Sequence, residues 1–256
     1  GTLRRGILGE AARPLNRTEI EEVSFLFKES LRQGAFGLST SLPAAHAKHT
    51  TSDELLSLLK IAAEYGGLSK HHLKDEGKNI LPAVAELIAL GRESGAKVHL
   101  SHFKILGRQS WELLERVLGL VESAREEGIG MTLDFFPYTK TGSLLYSLLP
   151  PWMVEGGRER ILHSLKDPGG RKEALDYLES LTLHYGEMVV ASAQDGAAVG
   201  RTVAQLSASS GLRPEEVILQ LLEVSELAVS IFSEVISPQH FESLLGKNYA
   251  LIASDG

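Results

Sequence analysis

Lys97-Val98-His99-Leu100-Ser101-His102-Phe103, residues 97–103, is a short apolar-rich run closed in by helical sequence on both sides. A run of this size is too short for a stable helix and fits a buried strand of roughly 4–8 residues. Before it, Ile80–Ser94 repeats apolar residues at helical spacing and stops at Gly95. After it, Ser110–Glu127 does the same and stops at Gly128, glycine being the residue that most easily takes the left-handed turn past a helix end. A strand that alternates with helices in this way belongs to parallel βαβ units, because a parallel pair needs a crossover where an antiparallel pair needs only a turn.

Working outward, Ala35–Thr40, Gly67–His72 and Met131–Tyr138 are further short apolar runs, each preceded by a helical segment. Gly37, His72, His102 and Asp134 mark corresponding points of these runs and lie 35, 30 and 32 residues apart. A βαβ unit takes about 30 residues or more, so the spacing fits consecutive units of one sheet. Two earlier helices carry their own start signals. Thr18-Glu19-Ile20-Glu21 reads as a capping box ahead of Ile20, Val23, Phe27 and Leu31, and Thr51-Ser52-Asp53-Glu54 as a second ahead of Leu55, Leu58, Leu59 and Ala62. Pro214 and Pro238 stand where first helical turns begin, with Ser237 as N-cap of the latter.

The rhythm breaks after Asp134, with 121 residues before the next acid at a strand end, Asp255. Pro150-Pro151-Trp152, Gly156-Gly157 and Pro168-Gly169-Gly170 interrupt that stretch, which reads as an insertion on the side where barrel loops build a site. Met188–Ser192 and Ala228–Phe232 read as strands, the first in the insertion and the second in or near the barrel. The expected organisation is barrel βα units over 1–139, an inserted small subdomain over 140–198, and the last barrel units over 199–256.

Composition fits a globular α/β chain: 256 residues, 43% hydrophobic and 23% charged. A net charge of −7 gives no basic footprint for nucleic acid or an anionic membrane, so neither is an expected partner. No apolar run reaches the roughly 18 residues of a membrane span. There is no cysteine, which excludes disulfides and thiolate ligands within these residues. Gly1-Thr2-Leu3-Arg4-Arg5-Gly6 has neither an initiator Met nor the apolar core of a signal peptide, and both ends read as cut. The expected location is cytoplasmic, and the sequence leaves the oligomeric state open.

His72 and His102 close two successive strands, and Asp255 closes the last apolar run. C-terminal ends of parallel barrel strands converge on one place whatever their separation along the chain. Imidazole and carboxylate are ligands that a zinc-type Lewis acid accepts. Alternation puts Lys70, His72 and Lys74 on one face with His71 on the other, and Leu100, His102 and Lys104 on one face with His99 and Ser101 opposite. A strand-end histidine is as readily hydrogen-bonded structure, and Asp-Gly is a common turn, so spacing alone leaves both readings open. His46, His49, His163 and His184 read as surface residues.

A longer series of motifs runs almost end to end. It comprises Gly37-Leu38-Ser39-Thr40-Ser41-Leu42, Gly66-Gly67-Leu68, His72-Leu73-Lys74-Asp75-Glu76 and Ser101-His102-Phe103-Lys104 with Gly107 and Trp111. Asp134-Phe135-Phe136-Pro137-Tyr138-Thr139, Leu149-Pro150-Pro151-Trp152 and Ser254-Asp255-Gly256 complete it. In order and spacing these resemble the amidohydrolase superfamily, and within it the N-acyl-D-amino-acid deacylases. The resemblance implies an α/β fold, a partial (β/α)8 TIM barrel of about strands 4 to 8 with a small inserted subdomain. It implies metal-dependent hydrolysis of the amide bond of N-acyl-D-amino acids, with zinc or another divalent metal as cofactor and a small N-acyl amino acid as partner.

By the same resemblance, His72 and His102 are metal ligands on the fifth and sixth strands. Asp255, on the eighth, contacts the metal region and is the general base, taking a proton from the attacking water and returning it to the leaving amine. Lys104 matches a lysine near the substrate carboxylate, and Tyr138 is a substrate-binding candidate. Phe136 stands where the family usually has a tyrosine, and Lys74 where an arginine is more usual, which loses a bidentate fork. The family's His-x-His on the first strand and its metal-bridging cysteine would precede Gly1. Two other readings stand beside this one: a cyclic-amide hydrolase of dihydroorotase or hydantoinase type, and a non-catalytic fragment or degenerate homologue.

Overall fold

The computed structural model describes every residue except Glu10, Ala12, Ala45, His46, Glu155, Gly156, Thr182, Asp255 and Gly256. The candidate base Asp255, and His46, therefore lie outside the described residues. In chain order the elements begin α1 (Thr2–Leu8), α2 (Arg17–Arg32), β1 (Gly37–Ser41), α3 (Ser52–Glu64) and β2 (Leu68–His72). They continue α4 (Ile80–Ser94), β3 (Lys97–Leu100), α5 (Leu114–Glu126) and β4 (Met131–Phe135). Next come β5 (Lys140–Leu144), α6 (Pro151–Val154), α7 (Gly157–Lys166), α8 (Pro168–Ser180), β6 (Met188–Ser192), α9 (Val203–Ser210), α10 (Pro214–Val224) and β7 (Ser230–Glu234). The last are α11 (Gln239–Leu245) and β8 (Ala250–Ile252). Among the described residues no helix is long and apolar enough to cross a membrane.

Residues 1–138 and 236–256 form one compact unit. Its sheet has the order β1-β2-β3-β4-β8, and each neighbouring pair is parallel. Register puts Ser69, Val98 and Met131 on one face together with His71, Leu100 and Leu133. That is the face the helices cover: Val98, Leu100, Met131, Leu133 and Phe135 share one buried core with Leu59 of α3, Leu87 of α4, and Val117 and Leu118 of α5. Burying each such side chain contributes about 1.5–3 kcal/mol, which makes this face the main source of the unit's stability. Lys70, His72, His99, Thr132 and Asp134 fall on the opposite face.

Helix starts follow local chemistry more closely than the motif reading allowed. The cap of α2 is Asn16, which exchanges hydrogen bonds with Glu19 in a true capping box, so the helix starts ahead of Thr18. Thr51 does cap α3 by accepting from the Glu54 N–H, but the Glu54 carboxylate is buried in a pair with Arg4 of α1. For α11 the cap position falls on Pro238, and Ser237 donates to the Gln239 side chain. At Gly37 a Cβ would stand 1.8 Å from the Leu68 carbonyl oxygen, so the β1–β2 pair closes only around a glycine.

The second compact unit runs from Thr139 to Val235. Its sheet is antiparallel in the order β5-β7-β6. Leu145, Met153, Leu165, Leu178, Val190, Ile218, Leu222 and Ile231 lie in its own core. Residues 199–235, expected among the last barrel units, fall within this second unit. Ala228–Phe232, expected in or near the barrel, supplies β7, the middle strand of this sheet, and β5 is a strand that the Pro/Gly-dense reading did not anticipate. Trp152 is partly exposed, with the Arg160 guanidinium 6.0 Å from its ring.

Candidate metal centre

The first histidine of the site arrives by alternation. Ser69 and His71 are fully buried on the helix-covered face of β2, which leaves His72 on the other face at the strand's C-terminal end. His71 is structural: its Nδ1 lies 2.7 Å from Thr40 Oγ1, and its Nε2 has no hydrogen-bond partner among the described residues.

The second histidine arrives by a different route. The ladder continues one bond past β3, with Ser101 N–H donating to His71 O at 2.9 Å. His102 then takes φ 40°, a left-handed backbone that L residues rarely adopt. Simple alternation would align His102 with Leu100, which lies in the helix-covered core. The positive φ instead turns its ring toward His72, with ring centroids 4.3 Å apart and planes at 74°. The two histidines do meet, through a backbone reversal that side-chain parity could not foresee.

Glu76 completes the group, and it was not singled out from the sequence. Its Oε1 lies 3.2 Å from His102 Nδ1 and 3.9 Å from His72 Nε2. The Leu106 N–H donates to the Glu76 carbonyl at 2.7 Å, tying the loop after β2 to the loop after β3. Asp75 shapes that loop by accepting from the Gly77 and Asn79 N–H groups at 2.8 and 3.1 Å. The available signal was an acid four positions beyond a strand-end histidine, within the quoted motif.

Lys104 is buried, unlike most lysines. Its ammonium donates to Glu76 Oε1 at 2.8 Å and to the His102 carbonyl at 3.1 Å, and lies 2.9 Å from His102 Nδ1. It also stands 5.7 Å from the centroid of the Phe136 ring, a cation–π contact. Burial by itself would raise the Glu76 pKa, but hydrogen bonding to His102 and the Lys104 charge outweigh it and hold the carboxyl below its usual value. Tyr138 is exposed and stacks on Phe136 at 6.3 Å between centroids, so it is not drawn into the histidine cluster. Lys74 points away to Glu86, at 2.5 and 2.8 Å.

One layer below, Asp134 gathers three donors: the His102 backbone N–H at 2.5 Å, His99 Nε2 at 2.7 Å and Lys70 Nζ at 3.0 Å. Burial would raise its pKa, and the bonds from His99, the His102 backbone and Lys70 together bring it below the usual value.

His72, Glu76 and His102 are the group of potential ligands found among the described residues, each offering an atom within 4.8 Å of the others. Imidazole nitrogen and carboxylate oxygen are donors that zinc takes at about 2.0–2.2 Å. The donor set and its spread fit a divalent ion with small side-chain adjustments.

No protein-family model matches the chain. It is 29% identical over 144 residues to a D-aminoacylase of Alcaligenes xylosoxydans xylosoxydans, covering 56% of this chain and 30% of that protein. It is also 29% identical over 143 residues to the N-acyl-D-glutamate deacylase of the same organism, covering 56% of this chain and 29% of that protein. A crystal structure of an N-acyl-D-glutamate deacylase from Bordetella bronchiseptica, complexed with zinc and a phosphonate inhibitor that mimics the tetrahedral intermediate, superposes with a TM-score of 0.76 at 20% identity. That match covers 99% of this chain and 46% of the other. A D-aminoacylase crystal structure superposes at 0.71 with 22% identity, covering 100% of this chain and 46% of the other. The chain therefore spans about a third of the length of the curated relatives it matches and under half of the solved ones. The fold is that of these amidohydrolases, and the five parallel strands are part of their barrel.

Proposed function

We propose that this chain, a homologue of the D-aminoacylases, carries part of the active centre of a metal-dependent hydrolase that cleaves the amide bond of N-acyl-D-amino acids. The observation that carries the reading is the convergence of His72, Glu76 and His102 beyond the C-terminal ends of β2 and β3, with the buried Lys104 ammonium beside them. Strand C-termini are where barrel enzymes place their chemistry. Zinc is the metal proposed, as in the Bordetella deacylase complex. When bound, it would supply a Lewis acid for the acyl carbonyl.

His72 and His102 would hold the ion. Glu76 would either join them or accept from His102 Nδ1–H and so orient that ring, the usual work of a carboxylate behind a metal-bound imidazole. Lys104 would exchange part of its contact with Glu76 for the carboxylate of an N-acyl amino acid, fixing the substrate by charge and direction. Asp255 would serve as general base, and Tyr138 would contact the substrate from the rim. A cytoplasmic location goes with this reading.

The test is amine release from N-acetyl-D-amino acids by the zinc-loaded protein, with the L-enantiomers and dihydroorotate as parallel substrates. Release from the D-series alone is expected. Turnover of dihydroorotate in its place would overturn the substrate class, and absence of both zinc uptake and hydrolysis would overturn the reading altogether.

A further inference from the structure

We infer that Asp134 is a positioning residue for the metal centre: its carboxylate holds His102 in the left-handed backbone conformation that turns the imidazole onto His72. This rests on the metal reading given above only for its functional meaning; the geometry stands by itself.

Residues 101–103 are pinned at three successive amides. Ser101 N–H is bonded to His71 O on β2 at 2.9 Å, and Phe103 N–H to Asp134 O on β4 at 2.6 Å. Between them, His102 N–H is bonded to Asp134 Oδ1 at 2.5 Å, the one side-chain bond of the three. His102 has φ 40° and no glycine's freedom to adopt it. Relaxing toward an extended φ would carry the ring away from His72 and toward the side where Leu100 is buried.

The aspartate is itself held. Its Oδ2 takes His99 Nε2 at 2.7 Å and Lys70 Nζ at 3.0 Å, which leaves Oδ1 aimed at the His102 amide. A carboxylate of this kind only accepts, so His99 Nε2 donates to it, and His99 Nδ1 lies 2.7 Å from the Thr132 hydroxyl. Thr132, His99, Asp134 and Lys70 thus form one brace across β2, β3 and β4, on the face that carries His72. The brace meets His102 at its backbone amide.

Zinc, titrated in competition with a chromophoric chelator, tests the inference in the unsubstituted chain, Asp134→Ala and Asp134→Asn. Asp134→Ala is expected to bind zinc about tenfold more weakly or worse, the usual cost of losing a group that orients a ligand. Asp134→Asn keeps one oxygen for the His102 N–H but sets an amide NH2 against His99 Nε2 and Lys70 Nζ, and is expected to fall between Asp134→Ala and the unsubstituted chain. Equal affinity in Asp134→Ala and the unsubstituted chain would overturn the inference. Amide exchange in the metal-free chain gives a readout that general loosening would not: His102 should lose protection in Asp134→Ala while Phe103, bonded to the Asp134 carbonyl, keeps it. Loss at both, or at neither, would overturn it. If the unsubstituted chain takes up no zinc, the metal reading fails and the exchange pattern alone decides the positioning role. If Asp134→Ala does not fold, the His102 amide of the unsubstituted chain decides: protection supports the brace, and exchange at the rate of an open turn sinks it.

Discussion

The rings of His72 and His102 stand edge to face, 4.3 Å between centroids, although 30 residues and a complete helix separate them in the chain. Neither ring is placed by the other. His72 is carried by the end of β2, and His102 by a reversed backbone beyond β3. If these rings hold an ion, replacing either should cost more than the roughly 10–100-fold that loss of a supporting hydrogen bond costs. His72→Ala and His102→Ala are each expected to leave the protein without stoichiometric zinc when metal content is measured after gel filtration. Unchanged stoichiometry in either variant removes that residue from the site.

Lys104 makes a prediction with opposite signs in two measurements. Its ammonium is buried against Glu76, and breaking a buried ion pair leaves the partner charge uncompensated, at about 3–5 kcal/mol. The same ammonium lies 2.9 Å from His102 Nδ1 and competes with any cation there. Lys104→Met is therefore expected to lower the stability of the metal-free protein, by denaturant unfolding, and to tighten zinc binding. KM for N-acyl amino acids should rise in the same variant. Weaker zinc binding would show that Lys104 supports the site and does not compete for it.

His71 gives the chain an acid limit. Burial, and after it the charge of His99, lower its pKa from 6.5 to about 4. The unfolded chain titrates at the ordinary value, so it binds this proton where the folded chain does not. Stability from this group is fully present above about 6.5 and is lost as pH falls through about 4, at a cost of about 3 kcal/mol on full protonation. Urea midpoints should fall across that window and fall less in His71→Leu, which has no ring to protonate. Equal slopes in the two proteins would show that other groups set the acid limit.

Two glycines are expected to respond oppositely to alanine. At Gly37 the new Cβ would meet Leu68 O at 1.8 Å, so β1 must separate from β2 and stability should fall well beyond the cost of an ordinary surface change. At Gly6, inside α1, a Cβ meets nothing within 4 Å, and alanine should stabilise by about 0.5–1 kcal/mol through helix propensity. Thermal unfolding of both variants checks the pair together.

Much of the parallel sheet was legible because its strands are buried apolar runs set between capped helices, as Lys97–Leu100 between α4 and α5 shows. His72 was legible for the same reason. His102 does lie beside His72, but by a positive φ that breaks the parity argument used to place it. The contacts of Glu76 and Asp134 are not legible in the sequence, because each is made through a loop or a backbone amide and leaves no periodic trace. A five-residue apolar run such as Ala228–Phe232 reads alike in parallel and antiparallel sheets, so the sequence alone places 199–235 with the barrel. Only its partners, β5 and β6, reveal which it is.

The hydrogen bond from Val235 N–H to Thr139 O, 3.2 Å, closes the neck through which the chain enters and leaves its second unit. β4 and β8 pair in the first unit with more than a hundred residues between Leu133 and Ala250. Joining them directly would mean closing a very long loop, an entropic burden that grows with the logarithm of its length. Once β5 and β7 have zipped from Lys140↔Glu234 inward, that burden shrinks to a short tether. A chain in which the insertion has already folded would therefore face a far shorter closure when its last strand meets β4.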